Sequence, residues 1–167
     1  MTVTVRAPRY ATNREIERIV REKEPWIRKQ LEKIAGQKEM ATEQQPEKLT
    51  EKDIRELADR ALVYIPERVK YFAPQVGVSY GRITIRNQKT RWGSCSGKGN
   101  LNFNCLLMLT PPEVIDYVVV HELCHRKEMN HSKAFWDQVE RILPDYKMSE
   151  AYLKKEGSDI MARAGYQ

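Results

Sequence analysis

His121-Glu122-Leu123-Cys124-His125 is followed by His131, and these are the only three histidines in the chain. Residues four apart share one face of a helix, so His121 and His125 can offer two imidazole nitrogens to one metal ion, with Glu122 beside them. This spacing predicts a helical zinc site of the metalloprotease kind. Catalytic zinc takes three protein ligands and keeps a fourth position open, because water must occupy that position to be activated. His131 is the expected third ligand. It lies too far along to share a straight helix face with His125, so the helix must end between them and the chain must turn back.

An isolated H-x-x-x-H pair is often no more than two surface histidines. Here the glutamate directly after the first histidine, the third histidine and the absence of any other favour a metal site. The spacing is that of a metzincin motif, which carries glycine three residues after its second histidine, whereas this chain has Glu128 there. Asn130, which tolerates a left-handed conformation, is the expected substitute.

Outward from the motif, Thr110-Pro111-Pro112-Glu113 reads as a helix start, with Thr110 as cap, proline at the first helical position and Glu113 completing a capping box. Val114, Ile115, Tyr117, Val118, Val119 and Val120 then make the motif helix apolar on most sides, which predicts a central buried helix. Beyond the motif, Ser132 is expected to cap a helix whose Phe135, Trp136, Val139, Ile142 and Leu143 face the core before Pro144 ends it. A last helix is expected from about Lys147 to Glu156, with Met148 as a gap-filler.

Upstream, short strands are expected at 76–80, 83–86, 91–96 and 100–104, with Gly97-Lys98-Gly99 closing a hairpin. Trp92-Gly93-Ser94 is unusual within a strand, because glycine weakens a strand unless something approaches the backbone closely; the substrate is one candidate. Thr50 and Asp53 open a helix whose stripe of Ile54, Leu57, Ala58, Ala61, Leu62, Ile65, Val69 and Phe72 marks core, with a kink at Pro66. Before it, a strand is expected at 3–8. A helix should follow from a capping box at Thr12 and Glu15, carrying Ile16, Ile19, Val20, Ile27 and Ile34, and kinked or split at Pro25 with Trp26 as the anchor. The division predicted is an N-terminal arm at 1–36, a polar linker at 37–49 and a main domain at 50–167.

With 167 residues, 41% of them hydrophobic and 31% charged, the chain has a soluble globular balance, and no apolar run approaches membrane-spanning length. Cys95, Cys105 and Cys124 lack C-x-x-C spacing and suit reduced, buried thiols, and the first residues lack the apolar core of a signal peptide, so a cytoplasmic location is expected. The net charge of +6 lies mostly beside glutamates along helices. Lys89, Arg91, Lys98, Arg126, Lys127 and Lys133 have few acidic neighbours and leave a polyanionic substrate open. No motif marks a nucleic-acid partner.

A zinc held by the three histidines would acidify water and polarise an electrophile, and Glu122 would take the proton from water and return it to the leaving group. The candidate substrate-binding residues are Arg91, Trp92, Gly93, Ser94 and Asn104. Arg91, Asn104 and Tyr146 could also stabilise developing charge, and Glu113, Asp116 and Asp137 could orient the histidines. Another divalent transition metal could replace Zn2+.

Lys89-Thr90-Arg91-Trp92-Gly93-Ser94-Cys95, Asn100-Leu101-Asn102-Phe103-Asn104, the run from Pro111 through His125, and Asn130-His131-Ser132-Lys133-Ala134-Phe135-Trp136 closely resemble the YgjP-like family of zinc metallopeptidases, related to the SprT-like zincins. The resemblance implies an α+β, zincin-like single domain. A small, mostly antiparallel sheet would pack on a central metal-binding helix and a backing helix. It carries the ligand role onto His121, His125 and His131 and the catalytic role onto Glu122. It implies a peptide or protein substrate, with a nucleoside triphosphate (UTP-type) pyrophosphatase on the same metal as the alternative. A zinc-stabilised module that binds protein or nucleic acid without catalysis is the alternative of another class, and it would call for a fourth protein ligand such as Cys95 or Cys105.

Overall fold

The computed structural model describes residues 12–41 and 48–165, with side chains described over 12–31 and 48–165. The strand expected at 3–8, the side chain of Ile34 and residues 42–47 of the expected linker lie outside the described residues. The chain divides into two compact units, Met1–Gln45 and Pro46–Gln167. No helix among the described residues is long and apolar enough to cross a membrane.

The first unit contains α1 (Asn13–Ala41). Its capping box forms as expected: the Glu15 amide donates to Thr12 Oγ1 at 3.3 Å, and the Thr12 amide donates to Glu15 Oε2 at 3.0 Å. The helix is not split at Pro25, and it runs past Gly36 into the stretch read as linker. Trp26 anchors no break; it is 63% exposed.

In the second unit, α2 (Glu51–Val76) starts from the Thr50–Asp53 capping box. It buries Leu57, Ala61, Ile65, Val69 and Phe72, and leaves Leu62 on the surface, off the stripe. The helix runs on through Pro66 and Pro74 to Val76, which continues the buried stripe four residues after Phe72. Gly77, at φ 76°, then stops it in the left-handed conformation that glycine adopts without a Cβ clash. The strand expected at 76–80 is therefore the end of a helix and the link beyond it.

Three strands follow: β1 (Ile83–Arg86), β2 (Gly93–Cys95) and β3 (Leu101–Asn104), in the order β1-β3-β2. The β2–β3 hairpin is antiparallel, with Gly93 opposite Phe103 and Cys95 opposite Leu101. It closes through 96–100 with Gly99 at φ 81°. β1 joins the other side of β3 in parallel. The sheet is thus mixed, where a mostly antiparallel one was expected: β1 runs in the same direction as β3, with Ile83 opposite Leu101 and Arg86 opposite Asn104. Leu101 and Phe103, both fully buried, face the helices.

A 3-10 helix (Cys105–Leu109) leads from β3 to α3 (Pro112–Cys124). Thr110 is not the cap of α3: its hydroxyl donates to the Leu107 carbonyl at 2.8 Å, while Pro111 holds the cap position without a side-chain bond. α3 is the central helix. It buries Val114, Ile115, Val118, Val119, Val120 and Leu123, and each such side chain contributes roughly 1.5–3 kcal/mol on leaving water. Arg68 of α2 grips Asp116 of α3 with two bonds of 2.6 and 2.8 Å, so Asp116 is already engaged.

α4 (Lys133–Ile142) and α5 (Tyr146–Arg163) complete the unit. α5 does not stop near Glu156. It continues through Gly157, where an added Cβ would come within 3.3 Å of the Trp92 ring, so the helix lies close against that indole. Met148 fills no gap; it is 75% exposed.

Candidate metal centre

α3 delivers His121 from its last turn and ends at Cys124, with His125 as its C-cap. The amides of Lys127 and Glu128 then bond back to the Cys124 carbonyl at 2.9 and 3.0 Å. This tight turn reverses the chain without a left-handed residue. Asn130 does not adopt the expected conformation, since no non-glycine residue among those described has a positive φ. Ser132 caps α4 by accepting from the Phe135 amide at 3.4 Å, which fixes His131 just ahead of the helix.

The ligand-capable nitrogens of His121, His125 and His131 lie within 4.8 Å of one another, and this group contains no cysteine or carboxylate. His121 Nε2 and His131 Nε2 are 2.9 Å apart. Two nitrogens bound at 2.0–2.1 Å in a tetrahedral site stand about 3.3 Å apart, so the His121–His131 spacing is near that of two ligands on a zinc-sized ion. His125 Nδ1 meets the Glu128 carbonyl at 3.0 Å. That contact makes Nδ1 the donor and turns the Nε2 lone pair toward the other two rings. Glu113, Asp116 and Asp137 orient no histidine: Asp116 pairs with Arg68, Asp137 pairs with Lys133, and the backbone at Glu128 takes the part expected of them.

Phe135, fully buried, is the floor of the site, with its ring centre 4.7–4.8 Å from all three imidazoles. Trp136 stacks on His131 at 5.7 Å and on Tyr146 at 5.4 Å. This apolar surround strengthens every charge interaction at the centre. Burial, reinforced by the neighbouring histidines, pushes His121 down to about 3, so its ring is neutral and available as a ligand. Burial also lowers His125.

Glu122, the residue after His121 in α3, is 5% exposed. Burial pushes its carboxyl up to about 8, against the pull of Arg91. Its Oε2 is buried and has no hydrogen-bond partner among the described residues, and the same holds for His121 Nδ1. The residue that crowds it is Gly93. A Cβ there would stand 2.7 Å from Glu122 Oε1 and 2.8 Å from its Cγ. The close approach that a glycine in this strand implies is therefore made by the Glu122 side chain.

Arg91, Trp92 and Gly93 line a cavity of about 250 Å³ together with His121, Glu122, Thr90, Tyr117, Val118 and Leu153. Ser94 and Asn104 do not. By strand alternation Ser94 faces away from Glu122, and its Oγ accepts from Asn102 at 3.2 Å. Asn104 is fully buried. Its amide nitrogen donates to the carbonyls of Gln88 (2.8 Å) and Arg91 (3.0 Å), and its oxygen accepts from the Leu106 amide at 3.1 Å. It is a bracket beneath the 88–91 segment and touches no ligand space. Tyr146 is stacked between Trp136 and Tyr117. Sequence reasoning left out Tyr117 and Leu153. Tyr117 was within reach, since it stands one helical turn before His121.

Asn104→Ala strips three backbone groups of their partner at once, and unsatisfied buried groups cost about 1–3 kcal/mol each before relaxation. The variant is expected to lose about 3 kcal/mol of stability, read as a fall in the urea midpoint at unchanged m-value. A loss below about 1 kcal/mol would show that the 88–91 segment is held by other means.

Cys105 and Cys124 are buried, and Cys95 is half-buried. Burial pushes the Cys124 thiol up to about 11. Of the cations with few acidic sequence neighbours, Arg126 donates to the carbonyls of Ser79 (3.0 Å) and Gly97 (3.3 Å), and Lys133 pairs with Asp137 at 2.7 Å.

A small α+β domain that brings three imidazoles together beside a buried glutamate defines the class of metal-dependent hydrolases. Residues 1–56 and 37–156 match the model described as YgjP-like, metallopeptidase domain, and the chain belongs to this family. Among solved structures it is similar to the metallopeptidase zymogen of Pyrococcus abyssi abylysin, at 23% identity and a TM-score of 0.50, over 55% of this chain and 93% of that one. It is also similar to the metallopeptidase zymogen of Methanocaldococcus jannaschii jannalysin, at 20% identity and a TM-score of 0.49, over 55% of this chain and 95% of that one. The abylysin likeness supports the fold. No curated protein matches the chain.

Proposed function

We propose that this protein is a zinc-dependent metallopeptidase in which His121, His125 and His131 hold the ion and Glu122 is the general base. The observation that carries the reading is the pairing of three converging imidazoles with a buried carboxylate whose Oε2 has no partner among the described residues. Zinc, when bound, supplies a Lewis acid that lowers the pKa of water and polarises a carbonyl. Glu122 takes the proton from the attacking water and returns it to the departing amine. Its dry surroundings strengthen the interactions of its charge with groups at the centre.

Two observations favour peptide over nucleotide. Of the cations with few acidic sequence neighbours, Arg126 and Lys133 are already engaged, which leaves fewer to hold a polyphosphate. The cavity beside Glu122, at about 250 Å³, is smaller than the roughly 300–1,000 Å³ of sites that enclose whole small molecules. The donor set also opposes a purely structural metal, because such sites usually fill all four positions with protein ligands, and the histidine cluster contains no fourth ligand among the described residues.

The test offers unfolded protein, peptide pools and nucleoside triphosphates side by side to zinc-loaded and chelated protein, with metal content measured in each. Peptide turnover that needs zinc is the expected result. Turnover of nucleotides alone would transfer the site to the pyrophosphatase reading. Bound zinc without any turnover, together with melting on chelation, would make the metal structural.

A further inference from the structure

The cavity beside Glu122 has an uneven lining. Trp92, Tyr117, Val118 and Leu153 make most of its wall apolar, and Arg91 stands at its edge. Arg91 is exposed and forms no ion pair among the described residues. Its backbone is nonetheless firmly placed. Asn104 binds the Arg91 carbonyl at 3.0 Å, and the Asn104 amide donates to the next carbonyl, that of Trp92, at 2.8 Å. An arginine with a fixed backbone and an uncommitted guanidinium beside an apolar wall is suited to one chemistry above others. Its planar fork matches a carboxylate with two parallel hydrogen bonds, and such charge-assisted bonds are about twice as strong as neutral ones.

We propose that this cavity is a substrate subsite that selects a carboxylate, with Arg91 holding the charged group and the Trp92 and Tyr117 wall taking the apolar stem behind it. The carboxylate is that of an acidic side chain or of a free C-terminus, two sources with the same chemistry. The volume suits a single side chain or chain end. The proposal rests on the metallopeptidase reading, because it assumes a peptide in the cleft. It adds a substrate preference that the metal and Glu122 do not provide.

The test measures binding, so that it does not depend on turnover. Zinc-loaded Glu122→Gln protein is titrated into short fluorescein-labelled peptides, and anisotropy is followed. One set of pairs differs in Glu against Gln at each interior position; another differs in a free acid against an amide at the C-terminus. The carboxylate member of one set is expected to bind about tenfold more tightly, and the set that shows the effect identifies the source. Adding Arg91→Gln should erase the difference, Arg91→Lys should keep part of it, and Arg91→Glu should reverse it. Zinc content and thermal unfolding confirm that each variant is folded. Equal binding of both members of every pair, no binding of any peptide, or a preference that survives Arg91→Gln overturns the proposal. Wild-type protein that cleaves peptides without carboxylate preference loses the subsite and keeps the peptidase. A preference without cleavage does the reverse.

Discussion

Glu122→Gln protein is expected to bind zinc like the wild type and to hydrolyse peptide about a thousandfold more slowly, within the 10²–10⁴ range that a positioned general base contributes. The substitution keeps the shape of the side chain and removes only its capacity to take a proton. Metal content should hold, because the three nitrogens that converge are those of His121, His125 and His131, and the carboxylate is not among them. Folding should hold too. Glu122 makes no hydrogen bond through its buried Oε2, and an amide is easier to bury than a charge. The measurement is kcat with metal content on the same samples. A variant that retains more than about a tenth of wild-type kcat would remove Glu122 from the chemistry. Loss of the metal would instead make it part of the ion's support.

The second large effect comes from a single methyl group. In Gly93→Ala the new Cβ would stand 2.7 to 3.0 Å from Glu122 Oε1, Cγ and Cδ, closer than real Cβ contacts allow, so the carboxylate or the strand must move. Overpacking of this kind costs about 1–3 kcal/mol of stability. The larger consequence is catalytic, since misplacing a reacting group by about 1 Å can cost 10²-fold in rate. The expected result is a folded, zinc-binding protein with activity down by about a hundredfold. Gly97→Ala is the control: an added Cβ there meets nothing within 4 Å, and activity should be unchanged. Equal activity in the two variants would mean that the Gly93 backbone does not position Glu122.

These effects bear on what the sequence could disclose. His121 and His125 were legible as a pair because a helix places residues four apart on one face, a rule that needs no tertiary information. The return of His131 followed from the same rule, since it could not share that face. Gly93 was legible only as a question. A glycine in a strand signals a close neighbour, but that neighbour, Glu122, lies on another element, and only the packing of β2 on α3 brings them together. Ser94 and Asn104 show the same limit in reverse. Alternation puts Ser94 on one side and Gly93 on the other, yet nothing local says which side faces the metal helix. Asn104 looked like a polar group for a ligand, and it serves instead three backbone atoms, on Gln88, Arg91 and Leu106. The mixed sheet was missed because the parallel pairing of β1 with β3 joins strands that are not consecutive in the chain, which local pattern does not reveal. The end of α2 was misread at Val76, whose side chain suits a strand and whose position completes a helical stripe.

The burial of Cys124 has a consequence for metal supply. It stands next to His125 in sequence, yet its side chain is fully buried in the core and takes no part in the cluster of nitrogens. A soft thiolate among the donors would have favoured zinc or monovalent copper, whereas imidazoles alone are shared ground for zinc, copper, nickel and iron. Three such ligands follow the ordinary order of divalent affinity, in which copper exceeds zinc. If these three imidazoles are the ligands, the site itself would not favour zinc over copper, and the choice of zinc would follow from which ion the surroundings leave free.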